Sequence, residues 1–250
     1  KEDWNGPKYA VIDLQWDYRK RTCRLTMQNY IRDVLRKYNH PPPKKPQHSP
    51  IAHIPINYGA KQQFTQDEDT SPELDEASIK RVQGIVGALL YWGRAVNDKI
   101  LVALSEIGSE QAAATENTNA AVNQLLDYVA TYPDDGITYR ASDMILAAHS
   151  DAAYLNVSKA RSRSSSYIFL SENDPIPRLN GSVLTLAKIL KFVMSSAAEA
   201  ELAALFMTAK EMVPIRQSLI EMGWPQPKSP IQVDNSTAVE LSTWIGDLGW

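Results

Sequence analysis

The fold is decided by residues 195–205, Ser-Ser-Ala-Ala-Glu-Ala-Glu-Leu-Ala-Ala-Leu. Alanine, glutamate and leucine are strong helix formers and serine is a preferred N-cap, so we expect a helix to begin at Ala197. The apolar run Phe192-Val193-Met194 just before it predicts a strand. Glu201 therefore lies near a helix N-terminus, where its carboxylate can point at the edge of a sheet.

Two further carboxylates follow predicted strands. The apolar run 145–150 leads into Asp151, and Ile231-Gln232-Val233 leads into Asp234. An aspartate, a helical glutamate and a second aspartate in this order are typical of divalent-metal nuclease sites, since Mg²⁺ prefers carboxylate oxygens. Glu199 lies about 200° around the helix from Glu201, so it cannot share the same site. The sequence therefore predicts a cluster of Asp151, Glu201 and Asp234.

The surrounding residues predict the element order β-β-β-α-β-α. Strands before the helix are expected at residues 144–151, 166–170 and 183–186. A polar and basic turn is expected over 157–163. The helix should continue to Met222, followed by a strand ending at Asp234 and a short helix from Ser236.

The first 140 residues predict a different organisation. Alternating apolar residues predict a β-hairpin over 8–27, and an amphipathic helix follows to Tyr38. A proline-rich linker covers 40–58, where helix is excluded. Helices are then expected from Ser71-Pro72-Glu73 with Ser71 as N-cap, over 100–107, and after Thr115.

Composition narrows the class of protein. The chain has 250 residues and a net charge of −3, which argues against a protein that coats nucleic acid without specificity. The single cysteine, Cys23, excludes a disulfide framework and is typical of a reducing compartment. No run of about 18 apolar residues is present, and Lys1-Glu2-Asp3-Trp4 is unlike a signal peptide. We therefore expect an intracellular globular protein that is not secreted, and a piece of a longer chain.

Several short sequence words together resemble one family, the Pol polyprotein of copia-type long-terminal-repeat retrotransposons. The words that carry the carboxylates are Ser150-Asp151-Ala152, residues 195–202 and Asp234-Asn235-Ser236-Thr237-Ala238. Residues 161–169 are similar to a fourth word, with Ser166 in place of the usual glycine. These words resemble the ribonuclease H domain of the family. Residues 12–18 and 85–91 resemble the end of its reverse transcriptase palm and its thumb/connection region.

The resemblance implies an α/β chain, α+β overall, with three parts. Residues 1–58 would be a palm-end hairpin, helix and linker, and residues 59–140 a helical thumb/connection region. Residues 141–250 would form a ribonuclease H-like mixed β-sheet with flanking helices. The Tyr-Pro-Asp-Asp run at 132–135 has the letters of the polymerase signature, but Pro133 ends a predicted helix, so we interpret it as an ordinary turn.

The resemblance also implies a chemistry. The carboxylate cluster would bind two Mg²⁺ ions about 4 Å apart and hydrolyse the RNA strand of RNA–DNA hybrids. Lys159, Arg161 and Arg163 would contact hybrid phosphates, with a solvated turn as an equal alternative. The partners would be the hybrid and the remainder of the reverse transcriptase polyprotein, and no membrane would be bound. The protein would be located in the cytoplasm, the nucleus or a virus-like particle.

Departures from the family pattern bear on activity. The family has a fourth carboxylate on a last helix, after a fifth strand, and residues 241–250 do not resemble that region. Asp247 comes too early to replace it. We therefore expect a domain whose last strand and helix are missing, with weak or no hydrolase activity. The alternatives are an inactive transposon remnant that acts as a nucleic-acid-binding or interaction module, and a generic α/β domain with surface carboxylates.

Overall fold

The computed structural model describes residues 6–52, 69–157 and 161–234. These fall into two compact units, the first containing the described residues up to Tyr139 and the second those from Arg140 onward. The predicted boundary at residue 58 lies outside the described residues, so the division into three parts stays a prediction. Within the described ranges, no helix is long and apolar enough to cross a membrane.

The described residues of the first unit include a sheet with the strand order β1-β2-β3-β4. The strands are β1 Lys8–Tyr9, β2 Ile12–Asp17, β3 Thr22–Thr26 and β4 Gly136–Arg140. Strands β2 and β3 form the predicted hairpin, with Trp16 opposite Cys23. The sequence did not predict β4. Gly136 permits its close approach, because a Cβ atom there would overlap the carbonyl oxygen of Leu25.

The α-helices described in the first unit pack around one apolar core. They are α1 Gln28–Lys37, α2 Glu76–Ala95, α3 Leu101–Glu110 and α4 Glu116–Thr131. Their inward stripes supply fully buried side chains, among them Ile31, Ile85, Leu89, Trp92, Leu125 and Leu126. The helical stripes predicted from sequence are therefore core, as expected for amphipathic helices that cover one another.

Two helix starts were predicted from residues that favour the N-cap position, and tertiary contacts override one of the two predictions. Thr115 is the N-cap of α4, as predicted. The predicted start at Ser71 is wrong, because α2 begins at Glu76 and its N-cap is Asp75. The preceding residues are extended instead, and the amide of Leu74 donates a hydrogen bond to the segment before α4. In a helix capped by Ser71 the Leu74 amide would lie in the first turn, where no carbonyl of the helix accepts it, so the pairing satisfies a group that the longer helix would leave to a side-chain cap.

The Tyr-Pro-Asp-Asp segment is a turn between α4 and β4, as predicted. The carboxylate of Asp135 accepts hydrogen bonds from Nζ of Lys99 at 2.8 Å and from Nδ2 of Asn97 at 3.2 Å. Its charge therefore holds the turn against the segment between α2 and α3. A helix, not a strand, precedes the turn, so the segment differs in backbone from the polymerase signature.

The second unit has, among its described residues, a mixed sheet with the strand order β7-β6-β5-β8. Its strands are β5 Ile145–Val157, β6 Arg161–Ser171, β7 Ser182–Ile189 and β8 Ile231–Gln232. Strands β5, β6 and β7 pair antiparallel, and β8 pairs parallel with β5. With the helices described here, the chain is an α+β protein, as predicted.

Helix α5, Ala197–Glu221, packs on this sheet through Met212 and Leu219. These side chains contact Leu146 and Ala148 of β5 and Ile168 of β6, all of them buried. The helix start predicted at Ala197 is confirmed. The short helix predicted from Ser236 lies outside the described residues and stays a prediction.

Two predictions in the second unit are wrong. The turn predicted over 157–163 is largely strand in its described residues, because β5 continues to Val157 and β6 begins at Arg161. The strand predicted at Phe192-Val193-Met194 is a loop in which the Phe192 side chain is 77% exposed. In both places the polarity of a segment misled the prediction, because buried serines continue β6, whereas the apolar side chains of Phe192 and Val193 are exposed.

Candidate metal centre

The N-terminus of α5 separates the two glutamates of the opening stretch. Ser196 is the N-cap, and its Oγ accepts a hydrogen bond from the amide of Glu199 at 3.1 Å. The Glu199 carboxylate accepts hydrogen bonds of 2.6 Å from both the amide and the hydroxyl of Ser195. These bonds lower the pKa of Glu199. Glu199 is therefore occupied in capping the helix, while Glu201 lies on the buried side of α5.

The two aspartates are placed side by side by the parallel pairing of β5 and β8. His149 lies opposite Gln232 in that ladder. Asp151 comes two residues after His149, and Asp234 comes two residues after Gln232. Asp234 lies just beyond β8, so the parallel pairing brings it next to Asp151 in the neighbouring strand.

The three predicted carboxylates come together in one cluster. One carboxylate oxygen from each of Asp151, Glu201 and Asp234 lies within 4.8 Å of the other two. The two aspartates are exposed, whereas Glu201 is 6% exposed. The cluster thus has a buried wall formed by the helix and an open side formed by the middle of β5 and the residue that follows β8 by two positions.

Glu201 is held from one side only. Its Oε1 accepts a hydrogen bond from the amide of Ala152 at 3.2 Å. Its Oε2 is buried without a hydrogen-bond partner among the described residues. Burial raises the pKa of Glu201; the bond from Ala152 opposes this, and the charges of Asp151 and Asp234 add to it. A buried carboxylate close to two other carboxylates is costly in its charged form unless a cation accompanies it.

The structure describes two of the three basic residues predicted to contact phosphates. Lys159 lies outside the described residues. Arg161 is half-buried at the start of β6, and Arg163 is 2% exposed within that strand, opposite Ala153. The side chain of Arg163 is therefore part of the packed unit, and contact with a phosphate stays a prediction for Lys159 and Arg161.

Sequence reasoning missed a buried hydroxyl cluster next to the carboxylates. Oγ1 of Thr208 on α5 lies 2.6 Å from Oγ of Ser166 and 3.0 Å from Oγ of Ser150. One signal was available: Thr208 follows Glu201 by seven residues, which is about two helical turns. A polar residue on the same face of the helix as the predicted ligand could have been recognised from that spacing.

The second unit is thus an α+β unit in which two neighbouring strands and one helix form a carboxylate cluster suited to a divalent cation. Almost the whole chain is similar to a known protein, the retrovirus-related Pol polyprotein from transposon TNT 1-94 of Nicotiana tabacum. The two are 25% identical over 241 residues, which cover 95% of this chain and 17% of that polyprotein. No protein-family profile matches the chain, and no solved structure matches it. The alignment supports the resemblance to a retrotransposon Pol polyprotein that the sequence words predict.

Proposed function

We propose that this chain is part of a retrotransposon Pol polyprotein and that its second unit is a ribonuclease H, which hydrolyses the RNA strand of RNA–DNA hybrids with Mg²⁺. One observation carries the proposal: three carboxylates converge to within 4.8 Å, and the buried one has an oxygen without a partner among the described residues. The similarity to a transposon Pol polyprotein supports the choice of reaction.

The donor set fits Mg²⁺. All the side chains that meet in the cluster offer carboxylate oxygens, which are the ligands this hard cation prefers, and none offers sulfur or nitrogen. Two of the carboxylates are exposed, so a phosphodiester can reach the same place. Asp151, Glu201 and Asp234 are the residues that would hold the cation.

Each residue has a distinct task in this proposal. Glu201 is the fixed ligand, because helix α5 and the Ala152 amide restrain it. Asp151 and Asp234 form the open side and are shared between the cation and the arriving strand. Bound Mg²⁺ would supply a Lewis acid that neutralises the charge developing on the scissile phosphate. Lys159 and Arg161 are proposed to contact the backbone phosphates of the hybrid.

The proposal also assigns binding partners and a location in the cell. The hybrid is the substrate, and the rest of the reverse transcriptase polyprotein is the covalent or assembled partner. Such a protein works inside the cell, in the cytoplasm, the nucleus or a virus-like particle. The division of residues 1–139 into a palm end and a thumb/connection region belongs to the same proposal.

A cleavage assay on the full chain tests the proposal. A hybrid with labelled RNA is incubated with the protein in Mg²⁺ or Mn²⁺, with labelled single-stranded RNA and duplex DNA as substrate controls. We expect weak cleavage of the RNA strand in the hybrid, and its loss in Asp151→Asn and Asp234→Asn, because each substitution removes a metal ligand.

The matched control is Glu221→Gln, which neutralises an exposed glutamate at the far end of the same helix. It should leave cleavage unchanged. Cleavage that persists in Asp151→Asn would overturn the assignment of the site. Binding of the hybrid without cleavage would instead support a nucleic-acid-binding module that has lost activity.

A further inference from the structure

We propose that Thr208 is a positioning residue for the carboxylate cluster: its hydroxyl fixes helix α5, and with it Glu201, against the strand that carries Asp151. The inference rests on the proposed function, in that it assumes the cluster binds a divalent cation. It adds a residue that touches neither cation nor substrate.

The hydroxyl of Thr208 joins three backbone elements. Thr208 is fully buried, and its Oγ1 lies 2.6 Å from Oγ of Ser166 on β6 and 3.0 Å from Oγ of Ser150 on β5. Ser150 and Ser166 are themselves direct partners in the antiparallel ladder. Oγ1 of Thr208 therefore contacts both serines of a cross-strand pair, on the face of the sheet that α5 covers.

The single hydroxyl proton of Thr208 has two acceptors within reach. Oγ1 of Thr208 donates towards Oγ of Ser150 at 3.0 Å and towards the carbonyl oxygen of Ala204, one turn earlier in the helix, at 2.9 Å. A hydroxyl has one proton and two acceptor sites. The proton of Thr208 is therefore shared between these two oxygens, while Oγ1 can accept a hydrogen bond from Ser166.

The position of this cluster relative to Asp151 gives it a function. Ser150 and Ala152 flank Asp151, and both are hydrogen-bonded to α5. Ser150 is bonded to the Thr208 hydroxyl, and the amide of Ala152 donates to the Glu201 carboxylate. Asp151 thus lies between two attachment points of the helix to the strand. Metal sites need ligand positions held within about 0.5 Å, so a slide of α5 along β5 would separate Glu201 from Asp151.

The neighbours of Thr208 on the inner face of the helix argue against a role in packing alone. Ala200, Ala204, Met212 and Leu219 are all buried there and all apolar. Apolar residues of matching shape would serve stability as well as a buried hydroxyl group does. Hydrogen bonds add direction, which apolar contacts lack, and direction is what fixes one register between helix and strand.

The test compares Thr208→Val, which keeps the shape and removes the hydroxyl, with Thr208→Ser, which keeps the hydroxyl. Mn²⁺ binding to the full chain is measured by titration calorimetry and by electron paramagnetic resonance of free Mn²⁺. We expect Thr208→Val to bind Mn²⁺ about 10-fold or more weakly, the usual effect of losing a residue that orients metal ligands. Thr208→Ser should stay within about threefold of the wild type.

A triple variant, Thr208→Val with Ser150→Ala and Ser166→Ala, separates positioning from stability. It removes the whole cluster and leaves no stranded hydroxyl, so thermal stability should recover relative to Thr208→Val. If Thr208 positions the site, Mn²⁺ affinity stays low in the triple variant. Recovery of affinity together with stability would overturn the inference, as would unchanged affinity in Thr208→Val.

If Thr208→Val does not fold, Ser150→Ala is the variant to test, because in it Thr208 keeps Ser166 as a hydrogen-bond partner. Its Mn²⁺ affinity should fall by a smaller factor, and an affinity equal to that of the wild type would overturn the inference. A wild-type chain that binds no Mn²⁺ would overturn the proposed function itself and this inference with it. The two failures are therefore told apart by the wild-type titration.

Discussion

The amide of Ala152 donates a 3.2 Å hydrogen bond to Oε1 of Glu201, so the residue after Asp151 is bonded directly to the helical glutamate of the same cluster. Strand and helix are joined at the point where the carboxylates meet. The other oxygen of Glu201 is buried without a partner among the described residues, and the carboxylates of Asp151 and Asp234 are close by. Under the proposed function, this arrangement lowers the stability of the metal-free protein and keeps a ligand ready for the cation.

We predict that Glu201→Gln stabilises the metal-free protein by about 1 kcal/mol at neutral pH. The amide removes a buried negative charge beside two others, keeps an oxygen for the Ala152 bond and can donate to the aspartates. Thermal unfolding without divalent cations measures the gain. Glu221→Gln, on the exposed end of the helix, should give none, and a less stable Glu201→Gln protein would contradict the account of the charge.

A second prediction concerns pH. Burial raises the pKa of Glu201 above its ordinary value of 4.5, which the unfolded chain retains. The stability that comes from this group is therefore fully present below pH 4.5 and lost as the pH rises through the folded pKa. We expect the melting temperature of the wild type to fall relative to that of Glu201→Gln over this range.

Saturating Mg²⁺ should cancel that fall, because the cation binds the ionised form and stabilises the folded state. The measurement is the difference in melting temperature between the two proteins as a function of pH, with and without Mg²⁺. A difference that is the same at every pH would show that Glu201 does not titrate as described.

The helix cap gives a third prediction. Ser196→Ala removes the hydroxyl that accepts the amide of Glu199, and we expect a loss of about 1 kcal/mol in the free energy of unfolding. Chemical denaturation measures it. Ser196→Asp is the matched control, because aspartate can serve as an N-cap and should retain most of the stability.

Gly136 gives a fourth prediction, in the first unit. Gly136→Ala forces a Cβ atom against the carbonyl oxygen of Leu25, so β4 must move away from β3, at a cost of about 1–3 kcal/mol. Gly87→Ala is the control, because a Cβ there meets nothing within 4 Å and alanine favours helix. Equal stabilities for the two variants would mean that β4 does not depend on this close approach.

The sequence was sufficient for the order β-β-β-α-β of the described elements in the second unit and for the choice of Glu201 over Glu199 as the glutamate of the cluster. Both depend on local rules: an apolar run that ends in Asp151, a serine cap, and the angle between Glu199 and Glu201 around a helix. The mixed α+β class followed from the same patterns. These features are fixed by residues close together in the chain.

Features that depend on distant partners were not predictable in this way. The serines of β6 are polar, and only pairing with β5 and cover from α5 make them strand. The pairing of β4 with β3 and the start of α2 at Glu76 likewise depend on contacts across the chain. The Thr208 cluster needed the register of two strands against a helix, which no local pattern specifies.

Strand β8 has a consequence for the order in which the protein assembles. It is two residues long, pairs in parallel, and comes last among the described strands, far in sequence from its partner β5. Parallel pairing between segments that are distant in sequence forms slowly. Strands β5, β6 and β7, in contrast, follow one another in the sequence and pair antiparallel, so their pairing forms sooner. During folding, Asp151 and Glu201 can therefore come together before β8 pairs with β5 and brings in Asp234. A folding intermediate without that pairing would hold two of the three carboxylates, so the full cluster depends on the shortest strand of its sheet.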